Sequence, residues 1–175
     1  MSWRSAYAID NPSGQIGLQI KGNQLYSSNL NIFGNVSNGG VDVSGNLFSF
    51  NNLPVGAYVF YLTCPLTLTI TNGKAYIANA NISITDGTIT NTINLASFPH
   101  AIWACSNSQL PTDLNSFSYN FNRILSFNVT TPINNLTVFF SATMFGYLNN
   151  QGNVPYTINF QFIANGSSCI ATKLA

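Results

Sequence analysis

Apolar and polar residues alternate along most of this chain, and a period of two is the signature of half-buried β-strands. Tyr156, Ile158, Phe160 and Phe162 take one phase, and Thr157, Asn159 and Gln161 take the other. Leu66, Leu68 and Ile70 alternate with threonines, Ile16, Leu18 and Ile20 with Gly17 and Gln19, and Leu136, Val138, Phe140 and Ala142 with their neighbours. β-branched and aromatic residues fill these runs, as strands prefer. Ten to twelve strands are expected.

Turn residues punctuate the runs. Asn72-Gly73 and Asp86-Gly87 tolerate the positive φ angles of tight hairpins. They predict three antiparallel strands over residues 66–95. A looser turn at 149–153 joins the runs 136–148 and 156–164, and Asn165-Gly166 starts another turn before a last short strand near 168–173. Residues 97–122, with Pro99, Pro111 and an Asn/Ser-rich stretch, read as the least regular segment, a long crossover or exposed loop. The expected architecture is all-β: a single-domain antiparallel β-sandwich, with a jelly roll as its leading form. An immunoglobulin-like sandwich ranks second, without the Cys–Trp–Cys spacing that would support it, and a closed barrel third. Residues 1–46, rich in Gly, Asn and Ser, read as part of this domain or as an N-terminal arm or edge subdomain. Tyr58 and Tyr61 fall on opposite faces of one strand, which reads as buried on both sides.

Charge narrows the function. Charged residues are 5% of the chain, against a usual figure of about 25%. Glutamate is absent, and the acids are Asp10, Asp42, Asp86 and Asp113. No basic stripe exists for phosphates, so nucleic acid is not an expected partner. An EF-hand lacks its closing glutamate, and no glycosidase carboxylate pair stands out. Enzymatic activity, a cofactor and a metal site are not expected. His100 has no nucleophile motif beside it. Asp86 reads as a turn residue, Asp42 as the polar face of a strand, and Asp10-Asn11-Pro12 as a turn start.

The polar remainder is neutral: 26 Asn, 18 Ser and 15 Thr. With 46% hydrophobic and 13% aromatic residues the chain is expected to be ordered. A net charge of +1 favours association, the first pointer to an assembly subunit. No apolar run of about 18 residues predicts a membrane helix, and the N-terminus has no apolar core of a signal peptide. Cys64, Cys105 and Cys169 read as buried free thiols, with one disulfide plus a spare as the alternative. Sequons at Asn35, Asn81, Asn128, Asn135 and Asn165 are no more than such a composition produces by chance.

The segment Gly45 to Leu62 holds Phe48-Ser49-Phe50, a Pro54/Gly56 turn, then Gly56-Ala57-Tyr58-Val59-Phe60. It resembles the early strands of C1q/TNF-like jelly rolls and of small viral jelly-roll capsid and spike proteins. The resemblance implies a virion component that packs side by side, as a trimer or pentamer, and against other capsid proteins. Many viral capsid proteins that touch the genome carry a basic N-terminal arm; here only Arg4 lies in the first twenty residues. That departure favours a minor capsid, penton, cement or spike role. Two other readings stand beside it. One is an extracellular filament subunit that donates a strand from residues 1–46. The other is a lectin-like head with aromatics such as Trp103 or Tyr119 at a loop rim.

Overall fold

The alternating runs become strands. The computed structural model of the protein describes residues 16–36, 40–71, 74–94, 114–131, 135–147 and 156–174. Among these residues there are eleven strands and no helix. In chain order they are β1 (Gln19–Lys21), β2 (Asn23–Gln24), β3 (Leu30–Val36), β4 (Gly40–Phe50), β5 (Gly56–Thr71), β6 (Lys74–Thr85), β7 (Thr90–Asn94), β8 (Leu114–Val129), β9 (Leu136–Tyr147), β10 (Tyr156–Phe162) and β11 (Ser168–Lys173).

All pairings are antiparallel, in two sheets. In the first, β8 pairs along one edge of β5, while β10 and β11 lie end to end along the other. Beyond them β3 pairs with β10, and β1 with β11. The second sheet runs β2-β4-β9-β6-β7. Taken in order, the eight strands β3 to β10 interleave as first-eighth-third-sixth in one sheet and second-seventh-fourth-fifth in the other. This is the jelly-roll order, two sheets sharing two Greek keys.

The inward phase of each strand makes the core. Leu66, Leu68, Leu136, Val138, Phe140, Ile158, Phe160 and Phe162 are all buried. The sheets meet through aromatic rings: Phe140 lies 4.9 Å from Phe160 and 5.1 Å from Phe162, and Phe50 lies 5.1 Å from Phe60, centroid to centroid. Full burial of each such ring contributes about 1.5–3 kcal/mol.

Two irregularities shape the sandwich. In β4 the register shifts between Asn46 and Phe48, so Leu47 is an extra residue and Leu47, Phe48, Ser49 and Phe50 are all buried. The second is the break between β10 and β11, where residues 163–167 stand against only Cys64 and Pro65 of β5. The Ile163 N–H donates to the Pro65 carbonyl at 2.9 Å. A strand residue's N–H and C=O point to the same edge, so the ladder breaks where proline has no proton to donate.

Several sequence expectations change. β5 and β6 do not form a hairpin across Asn72-Gly73, which lies outside the described residues. Both edges of β5 are taken by β8, β10 and β11, so β6 joins the other sheet. The Asp86-Gly87 turn does close a hairpin, with Thr85 opposite Thr90 and Gly87 at φ +92°. The irregular segment expected over 97–122 is strand from Leu114 onward. The Ile16–Ile20 alternation yields only β1, with Ile16 exposed. From Gln19 on, the Gly/Asn-rich N-terminal stretch is woven into both sheets, and β1 pairs with the chain's own β11.

Candidate functional site: the neutral outer faces

Three places hold the polar chemistry of the described residues. The first is a buried cluster under the break between β10 and β11. The Tyr26 hydroxyl donates to Ser167 Oγ at 3.1 Å, and Ser167 Oγ donates to the Ile163 carbonyl at 2.6 Å. Cys64 Sγ lies 3.4 Å from Ser167 Oγ and 3.5 Å from Tyr26 Oη. Gln24 Nε2 adds bonds to the carbonyls of Tyr26 and Ala164. Burial pushes the Cys64 and Tyr26 groups up from their ordinary values. It pushes the Cys169 thiol up to about 12. Neutral, enclosed thiols are poor nucleophiles. This cluster satisfies the backbone at the break.

The second place is the outer face of the β2-β4-β9-β6-β7 sheet. A shallow depression of about 340 Å³ is lined by Asp42, Ser44, Asn79, Asn81, Ser141 and Thr143, among others. Thr143 Oγ1 donates to Asp42 Oδ1 at 2.7 Å. The sequence reading of Asp42 as a polar-face residue holds. Asp86 is a turn residue, as expected. Its Oδ1 accepts the N–H groups of Ile89 (2.7 Å) and Thr88 (2.8 Å). Those two bonds, Ile89's first, hold its carboxyl below the ordinary value.

The third place is the outer face of the β8-β5-β10/β11 sheet. Thr63, Thr67, Thr69, Asn120, Asn122, Ser126, Thr157, Asn159 and Gln161 all belong to its outward phase. Thr63 Oγ1 donates to Asn122 Oδ1 at 3.0 Å, and Asn31 Oδ1 accepts from Asn159 Nδ2 and Gln161 Nε2 at 3.1 and 3.2 Å. The outward phase of β5, β8, β10 and β11 carries no charged side chain among the described residues. One apolar row interrupts the amides and hydroxyls. Ile124 on β8, Tyr61 on β5 and Ile170 on β11 are register neighbours. Ile124 is 59% exposed and Tyr61 50%.

Tyr58 and Tyr61 take opposite faces, as the sequence indicates. Tyr58 is 1% exposed and donates to the Pro54 carbonyl at 2.8 Å. Within the single chain this strand is buried on the Tyr58 side only, because no further layer of described residues covers β5 at Tyr61. The Ile124–Tyr61–Ile170 row was missed; its signal was an apolar residue in the outward phase of three strands that the register then aligns. Cys64 and Cys169 are buried free thiols. Tyr119 is half-buried, with its hydroxyl pushed up by burial. The sequon residues Asn128, Asn135 and Asn165 are exposed and Asn81 half-buried. His100, Trp103, Cys105, Asp10 and Asp113 lie outside the described residues. Among those described, no three His, Cys, Asp or Glu side chains gather as a metal would require. Among the same described residues, no helix is long and apolar enough to cross a membrane.

No protein-family model matches the sequence, and no curated protein matches it. Solved structures with a similar course of chain include a lipoprotein from Bacteroides thetaiotaomicron (7% identity, TM-score 0.40), over 93% of this chain and 90% of that one. The Eiger TNF of S. frugiperda aligns at 9% identity and TM-score 0.33, over 92% of this chain and 94% of that one. The VP2 of infectious bursal disease virus aligns at 18% identity and TM-score 0.32, over 88% of this chain and 39% of that one. These are distant likenesses; the jelly roll rests on the strand order and register above.

Proposed function

We propose that this chain is a non-enzymatic structural subunit of a virus particle, a minor capsid, penton, cement or spike component that assembles through its neutral β-surfaces. The observation that carries the reading is the uncharged outer face of the β8-β5-β10/β11 sheet, crossed by the Ile124–Tyr61–Ile170 row, in which Ile124 and Tyr61 are exposed and Ile170 is half-buried. Burying an ion costs several kcal/mol unless it is paired well, whereas amides and hydroxyls bury cheaply once hydrogen-bonded. Interface centres are accordingly depleted in charge. Sedimentation of the purified chain across a dilution series tests this. A closed oligomer that persists on dilution is expected; a monomer at every concentration overturns it.

The depression beside Asp42 favours a second reading, a lectin-like head for a neutral sugar. Its hydroxyls, amides and single carboxylate match the donors and acceptors of a sugar ring. Binding to arrayed neutral glycans, lost in Asp42→Ala, would support it, and an array without hits would remove it.

A further inference from the structure

We infer that the Ile124–Tyr61–Ile170 row is the centre of a face-to-face contact with a second copy of this chain. The inference deepens the assembly reading and rests on it: it names which face meets which partner.

The row lies across three adjacent strands with Tyr61 in the middle. Val59, in the same phase two residues along β5, and Thr172 and Ser126 beside it flank the row. At the far side of the sheet the row ends on Lys21 of β1, opposite Ile170. Arg123 and Lys173 take the inward phase, opposite Leu62 and Tyr58. Among the described residues the one outward charge of this sheet, Lys21, lies on its edge strand, so the centre of the face meets no penalty of buried charge when it packs, and the surface that best matches it is one equally neutral.

A copy of the same face meets that condition, and its symmetry fits. A two-fold axis between the stacked sheets, running along β5 at Tyr61, lays each Ile124 over the partner's Ile170. It brings the two Tyr61 side chains together at the centre. Such an interface is self-complementary, as isologous contacts require. Stacked sheets pack about 10 Å apart, which side chains of this size fill. The area also suffices. β5 and β8 are each 16 residues long. The strand residues of this sheet, at a strand spacing of about 4.8 Å and a rise of about 3.3 Å per residue, cover on the order of 900 Å². A stable interface needs about 800 Å² per partner.

The test uses the full chain and three variants: Tyr61→Lys, Ile124→Lys and, in the exposed β6–β7 turn, Thr88→Lys. Light-scattering mass and thermal unfolding are measured for each. Both Tyr61 and Ile124 are exposed, so the first two variants are expected to keep the wild-type fold by circular dichroism. They are expected to weaken association at least tenfold, while Thr88→Lys associates like the wild type. If the wild type and all three variants associate equally, assembly stands and this face is not the contact. If Tyr61→Lys and Ile124→Lys lower the melting temperature of a chain whose mass is unchanged, the face is covered by the chain itself and the inference is overturned. If the wild type is a monomer throughout, both the assembly reading and this inference fail.

Discussion

The rings of Phe140 and Phe160 lie 4.9 Å apart across the two sheets, one contributed by β9 and the other by β10. Both are fully buried, and Phe162 completes the contact 5.1 Å from Phe140. Phe140→Ala removes the central ring and leaves a cavity that packed neighbours fill only in part. A loss of about 3–5 kcal/mol is expected. Urea unfolding measures it; a loss below about 1 kcal/mol would mean that the sheets do not depend on this contact.

Asp86 ties the β6–β7 turn through the N–H groups of Ile89 and Thr88. Only the ionised carboxylate accepts both bonds at full strength, so its folded value lies below the ordinary 3.8. The stabilisation is present above the ordinary value and is lost as pH falls through the lower, folded one. Asp86→Asn keeps an acceptor oxygen without the titration. Its melting temperature is expected to fall less than that of the wild type as pH drops below the carboxylate range. Parallel curves for the two proteins would contradict this.

Cys169 behaves in the opposite sense. Burial raises its thiol from 9.0 to about 12, and Cys64 is raised in the same direction. The stability that comes from keeping these thiols neutral is complete below about pH 9 and declines as pH rises towards 12. Alkaline melting curves are therefore expected to fall over that range, less steeply in Cys169→Ala. A thiol reagent at neutral pH, followed by peptide mapping, is expected to leave Cys64 and Cys169 unlabelled until the chain unfolds. Rapid native labelling of either would contradict their enclosure.

Gly87 holds φ at +92° in the same turn that Asp86 caps. A side chain there meets no neighbour within 4 Å, so the cost of Gly87→Ala is backbone strain alone, about 1–2 kcal/mol. Chemical denaturation reads it directly. An unchanged midpoint would show that the turn adopts another conformation.

The strand runs were legible because each inward phase reads as an unbroken series, such as Ile158, Phe160 and Phe162. The phase also separated Tyr58 from Tyr61. Partners across the sheets were less legible. Asn72-Gly73 carries a local hairpin signal, but pairing is decided by which edges remain open, and β5 has both edges occupied by strands distant in sequence. The start of β8 was hidden because Ser116, Ser118, Asn120 and Asn122 are turn-forming types placed in an outward phase. Leu47 was invisible as a bulge, since a run of four buried residues looks the same as a strand buried on both faces. The outer apolar row escaped notice because Ile124 and Ile170 are each unremarkable singly; only the register sets them beside Tyr61.

Assembly through neutral faces makes one demand that assembly through ion pairs does not. Screening at about 1 M salt reduces the Debye length to about 3 Å and removes most surface charge attraction, but it has little to act on in a chain with 5% charged residues. The most direct measurement is the light-scattering mass of the purified chain at low salt and at about 1 M salt, at equal protein concentration. The expected result is the same oligomer at both. Dissociation at high salt, or a monomer at both, would contradict the central claim.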